Sequence, residues 1–252
     1  ADGNNPLGRL FCVMEYLDGR VLWDPGLADF DCGGRTAIYA ELSRVLAAIH
    51  SVDLDSVGLN DYGKPGNYFE RQVGVWSRNY RASVDESDPG VERLIAWLEQ
   101  HMPADDGQVS LVHGDYRLDN VMFHATEAQA IGVLDWELAT LGDPLMDLGN
   151  TLAYWIQADD DFMARSTQRQ PTNIPGMMTR QQVIDYYCEK QGLEPKAFAF
   201  SEVYGLFRLA GIVQQIYYRY HHKQTTNKAY KNMWVFVHYL LFRCNKIIKK
   251  QS

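Results

Sequence analysis

The stretch LVHGDYRLDNVMFH, residues 111–124, crowds His113, Asp115, Arg117, Asp119 and Asn120 between two apolar runs. A second stretch, VLDWE at 133–137, places Asp135 and Glu137 at the end of another apolar run. If the runs pair as a hairpin, Asp115 and Asn120 stand at the two ends of one tight loop with Asp135 close by. A carboxylate and an amide oxygen converging in this way suit a hard cation, with room left for phosphate oxygens and water. Asp115 would stay free to orient a hydroxyl and accept its proton. Phosphoryl transfer needs that division of labour, because positioning and charge neutralisation supply most of its catalysis.

The elements that must hold these groups follow from periodicity. QVSLVH, NVMFH and AIGVLDW are short, β-rich and separated by polar turns, and the last two, joined through ATEAQ, predict a hairpin. RLFCVMEYL (9–17) is a continuous apolar run closed by Asp18-Gly19, which predicts a strand ending in a connector. Elsewhere the spacing is helical. Ile38, Leu42, Val45, Leu46 and Ile49 share one face of a helix ending near His50, which reads as a helix-terminal residue. Further helices are expected from NYFERQVGVWSRNYRASV and from PGVERLIAWLEQHM, the latter bounded by prolines. Asp143 is a natural N-cap and Pro144 a natural first residue for LMDLGNTLAYWI; Gly192 suits the C-cap of TRQQVIDYYCEKQ. Two long helices close the chain, so the class is α+β, mostly helical, with the dense polar chemistry on a small β element.

Composition narrows the function. The 252 residues are 46% hydrophobic and 22% charged, with a formal net charge of −8, which argues against binding driven by nucleic-acid phosphates. From Ser201 onward, however, nine Lys and Arg face one acid, Glu202. That stretch is either a solvated helix face or the surface that meets an anionic partner or substrate. The four cysteines are scattered without a CxxC pair, as expected of reduced thiols in the cytoplasm. No apolar run reaches membrane-spanning length.

HGDYRLDN followed by VLDWE and GDPLMDL resembles the catalytic and metal-binding loops of the aminoglycoside phosphotransferase and choline kinase superfamily, small-molecule relatives of protein kinases. The resemblance implies Asp115 as catalytic base, Asn120 and Asp135 as Mg²⁺ ligands, and ATP as phosphate donor. It implies that His113 packs the loop and that a buried Asp147 accepts backbone N–H groups from it. Arg117 would either approach the transferring phosphate or remain a solvated loop charge. Asp119 would stabilise the loop, as would Glu137, which could also support the metal indirectly. FCVMEYLDG is similar to the last strand and hinge of the small lobe; there Met14 would line the back of the adenine pocket, Glu15 would offer its carbonyl and Leu17 its N–H. On this basis residues 1–17 are the last small-lobe strand and hinge, and 18–252 are the large lobe with a catalytic hairpin.

NYFERQVGVWSRNYRAS, LDWELATLGDPLMDLGN and FRLAGIVQQIYYRY are similar to the branch of kinase-like domains that stand alone in bacteria or are joined to acyl-CoA dehydrogenases. That branch implies phosphorylation of a hydroxyl on a small metabolite, with hydroxyacyl-CoA acceptors fitting the basic C-terminal third. The glycine-rich loop and lysine expected ahead of the hinge are missing, since Lys64 is the first lysine. The expectation is therefore that most of the small lobe lies upstream of Ala1 and that this piece alone transfers phosphate poorly. Competing readings are a catalytically impaired binding or regulatory module, an antibiotic kinase of the aminoglycoside type, and a metal-assisted hydrolase using the same acids. Oligomeric state is not legible.

Overall fold

Where side chains alternate too briefly to build a sheet, helices carry the fold, and this chain is such a case. A computed structural model describes residues 14–23, 27–64, 66–104, 107, 109–166, 170, 172–193 and 198–251. Strand β1 is Arg20–Val21 and is followed by α1, Cys32–His50, whose N-cap Asp31 accepts from the Gly34 N–H at 2.7 Å. Helices α2 (Tyr68–Arg81) and α3 (Pro89–Gln100) come next. Then the chain turns to β2 (Ser110–Val112), a 3₁₀ turn at Leu118–Asn120, β3 (Val121–Phe123), β4 (Ala130–Val133), a second 3₁₀ turn at Trp136–Leu138 and β5 (Thr140–Gly142). Helix α4 (Pro144–Ala153), the short α5 (Phe162–Ser166), α6 (Arg180–Gln191), α7 (Ala199–His221) and α8 (Met233–Gln251) complete the order. The architecture is α+β and mostly helical, with two small sheets.

Strands β3 and β4 pair antiparallel with Val121 opposite Val133, as the hydrophobic pattern predicts, and β1 joins the far side of β3. The second sheet pairs β2 with β5. A three-residue strand shows no alternation to read in the sequence; at Thr140–Gly142 a long-range partner decides it. The strand expected over 9–17 needs correction. Residues 9–13 lie outside the described part, and residues 14–17 form no strand. Met14 is 79% exposed and Tyr16 87%, so a run of apolar residues lacks a ladder there, and pairing begins after Gly19 instead.

Two hydrophobic cores flank α4. One collects Leu42, Leu46, Tyr116, Val121, Phe123 and Tyr187 from α1, the loop between β2 and β3, β3 itself and α6. The other collects α2, α3, α7 and α8, with Leu98, Tyr204, Phe207 and Leu240 at its centre. Helix α4 is the wall between them: Met146 and Ala153 face the second core, Leu148 and Leu152 the first, and every residue from Met146 to Ala153 is buried. It meets α7 without side chains in between. A Cβ on Gly149 would collide with the Ser201 carbonyl, and one on Gly205 with the Gly149 carbonyl. Glycine at both positions lets the two backbones touch.

Candidate active site

One turn into α4, behind the cap that Asp143 makes to the Met146 N–H, stands the fully buried Asp147. Its Oδ2 accepts the His113 N–H at 2.8 Å and its Oδ1 the Gly114 N–H at 2.9 Å. His50 Nε2 donates to Oδ2 at 3.1 Å, and His50 Nδ1 is bonded to the Tyr187 hydroxyl at 2.5 Å. Burial alone would raise the Asp147 carboxyl. The hydrogen bond and charge of His50, and then the two backbone N–H groups, outweigh it and hold the pKa below the usual carboxylate value. The residue expected to end a helix thus ties α1 and α6 to the loop. Leu42, Leu46 and His50 fall at i, i+4 and i+8 on the buried face of α1, which is the signal that marks His50 as interior.

The loop itself is fixed at successive residues. His113 is buried; its Nε2 donates to the Leu134 carbonyl at 2.8 Å, and its Nδ1 accepts the Asp115 N–H at 3.2 Å. Gly114 adopts φ 81°, and a Cβ there would run into the Leu138 carbonyl, so only glycine fits between the two loops. Tyr116 donates to the Leu42 carbonyl at 2.8 Å, and Thr151 Oγ1 donates to the Tyr116 carbonyl at 3.0 Å.

Asp115 and Asn120 are brought into contact. The Asn120 amide nitrogen donates to the Asp115 carbonyl at 2.8 Å and lies 3.5 Å from Asp115 Oδ2, so the amide oxygen is the atom that could meet a cation. The Leu134 N–H donates to the Asn120 carbonyl at 2.8 Å, so the exposed Asp135 follows directly on the residue opposite Asn120. Asp135 is left-handed, at φ 63° and ψ 56°, a conformation that Asp tolerates. Among the described residues no three His, Cys, Asp or Glu side chains form a cation cage. Two oxygens from Asn120 and Asp135 nevertheless fit Mg²⁺, which keeps water and phosphate ligands instead of a full protein shell.

Arg117 is not a solvated charge. Its Nη2 lies 3.1 Å from Asp119 Oδ2, its Nε 3.6 Å from Asp115 Oδ2, and its guanidinium over the Tyr154 ring at 5.0 Å. Glu137 is exposed on the second 3₁₀ turn. Met14 and Glu15 are exposed as well. Leu17 differs, because its Cδ1 lies where a Cβ of Gly132 in β4 would be.

A cavity of about 820 Å³ opens beside the loop. Arg117 and Asp119 give it a polar side and α7 and α8 an apolar side, through Leu209, Val213 and Leu240. Arg243 of α8, which sequence reasoning passed over, also lines it.

Residues 2–180 match the family model described as "Phosphotransferase enzyme family". Acyl-CoA dehydrogenase family member 10 of Mus musculus is 40% identical over 215 residues, which cover 84% of this chain and 20% of that protein. Acyl-CoA dehydrogenase family member 11 of Rattus norvegicus is 38% identical over 218 residues, covering 85% of this chain and 28% of that protein. The chain therefore spans less than a third of the length of either relative. Among solved structures, a Ralstonia eutropha protein with the provisional name aminoglycoside phosphotransferase superposes with a TM-score of 0.83 at 39% identity, over 94% of this chain and 72% of that one. Choline kinase of Cryptosporidium parvum shares the fold at 10% identity, with a TM-score of 0.62 over 94% of this chain and 70% of that one.

Proposed function

Because the chain belongs to the phosphotransferase enzyme family, we propose that it transfers phosphate from ATP to a hydroxyl group of a small acidic metabolite, of the hydroxy-acid or hydroxyacyl-CoA kind. The observation that carries this reading is the contact of Asp115 with Asn120, on a loop whose backbone is held by Asp147. The Asp115 carboxylate orients the acceptor hydroxyl and takes its proton as the new oxygen–phosphorus bond forms. Arg117 restrains that carboxylate and adds positive charge beside it, in reach of a phosphate oxygen. Asn120 Oδ1 and the Asp135 carboxylate would hold Mg²⁺, which when bound neutralises charge on the transferring phosphate. Leu17, packed over β4, would offer backbone to the adenine together with Glu15. The cavity beside the loop, walled by apolar side chains, suits a small acceptor more than a polymer. Names of the dehydrogenase relatives favour acyl chemistry for that acceptor.

The test is phosphate incorporation from Mg²⁺-ATP, by the protein carrying its small lobe, into a panel of hydroxylated acids, acyl-CoAs, amino alcohols and aminoglycosides. Asp115→Asn is expected to lower kcat by about a hundredfold to ten-thousandfold while leaving thermal stability unchanged. Transfer by this variant at the wild-type rate would remove Asp115 from the role of base. Failure of every acceptor in the panel would remove the reading itself.

A further inference from the structure

Arg243 sits in α8 at a place where its neighbours on the same face, Phe236, Leu240 and Ile247, are apolar core residues. It is only 8% exposed, and its Nη1 is buried without a hydrogen-bond partner among the described residues. No described carboxylate pairs with it. The acid whose charge it senses, Asp160, is already held by both terminal nitrogens of Arg180 at 2.7 and 2.8 Å. The other charges on the cavity wall, Arg117 and Asp119, compensate each other at 3.1 Å. A guanidinium kept out of bulk water with only a shared carboxylate at charge–charge range is costly unless something adds a counter-ion, and water in an 820 Å³ cavity does so only in part.

We propose that Arg243 is the specificity-determining residue of the acceptor cavity and anchors a carboxylate of the acceptor. This rests on the phosphotransferase reading, because the cavity is taken as the place where the acceptor lies. Arg117, Leu118 and Asp119 line the same cavity and stand between Asp115 and Asn120 in the chain, so an acid seated on Arg243 lies in a chamber that borders the catalytic loop. The planar guanidinium fork matches a carboxylate with two parallel hydrogen bonds. Leu209, Val213 and Leu240 would cover an aliphatic body. The acceptor class that follows is a hydroxylated carboxylic acid with an apolar body and no second cation.

Calorimetric titration without nucleotide, using ω-hydroxyoctanoic acid, its coenzyme A thioester and octanediol, tests this. The acid is expected to bind at least about tenfold more tightly than the diol, the scale of one charge-assisted contact. Arg243→Met should bring the acid down to the diol's affinity, leave the diol unchanged and not lower the thermal midpoint. Arg243→Lys should restore part of the preference. Equal binding of acid and diol, absence of binding by both, or a preference that survives Arg243→Met would each overturn the proposal. Thioester binding that depends on Arg243 as strongly as acid binding does would move the anchor to a coenzyme phosphate and overturn the carboxylate assignment. A folding defect in Arg243→Met that weakens acid and diol alike would make Arg243 structural. Phosphate transfer plays no part in these affinities, so failure of the acid–diol ratio is distinguishable from failure of phosphate incorporation.

Discussion

The two sides of α4 follow opposite rules. Toward the catalytic loop, each polar group around Asp147 has a partner inside the protein: His50, the His113 and Gly114 N–H groups and, behind His50, Tyr187. Toward the cavity, three buried polar atoms lack a hydrogen-bond partner among the described residues: Arg117 Nε, Asp119 Oδ1 and Arg243 Nη1. Arg117 Nε is 3.6 Å from Asp115 Oδ2, close enough for attraction between charges and too far for a hydrogen bond. The difference teaches where each kind of polar group belongs. On the proposed reading, the groups that hold the loop still are saturated before any ligand arrives, while those beside the cavity keep capacity for one.

Breaking the saturated side should have the largest effect on stability. Asp147→Ala leaves His50 buried without its carboxylate and two backbone N–H groups unsatisfied, and is expected to cost about 3–5 kcal/mol in denaturant unfolding. The same variant sharpens the comparison through pH. Since the folded Asp147 carboxyl lies below its unfolded value, its stabilisation is fully present above the ordinary Asp pKa of about 4. It is lost as pH falls through the folded value. Wild-type stability should therefore drop in that acid window, and Asp147→Ala should show a flatter profile there; parallel profiles would contradict the assignment. Tyr187→Phe, which removes one hydroxyl from the same chain of contacts, should cost about 1 kcal/mol. On the cavity side, Asp119→Ala breaks an ion pair whose side chains are 26% and 29% exposed and should cost less than about 1 kcal/mol. Equal costs for Asp119→Ala and Asp147→Ala would dissolve the distinction.

Much of this was legible in the sequence, for a physical reason. Long helices with an apolar face, the cap at Asp143 and the left-handed Gly192 are local signals, and each appears where periodicity and capping chemistry put it. The β3–β4 hairpin was legible because two apolar runs bracket one polar turn. What was not legible is non-local. Residues 14–17 have the apolar content of a strand but no ladder, β5 is a strand only because β2 lies beside it, and His50, which does end α1, owes its burial and its partners to α4 and α6 closing around it. Arg243 was hidden among nine basic residues in the last part of the chain. Its i−7, i−3 and i+4 neighbours, Phe236, Leu240 and Ile247, form an apolar seam and were the clue that separated it from a solvated charge.

The glycine contact between α4 and α7 has a consequence for divergence. With two helices locked backbone to backbone, neither can shift outward to enlarge the chamber without first separating a contact that no side chain can rebuild. If the cavity takes the acceptor as proposed, a descendant that exchanges one acceptor for another has to work by replacing side chains on the cavity wall, on α7, α8 and the segments around Tyr154 and Gln170, while the α4–α7 frame stays fixed.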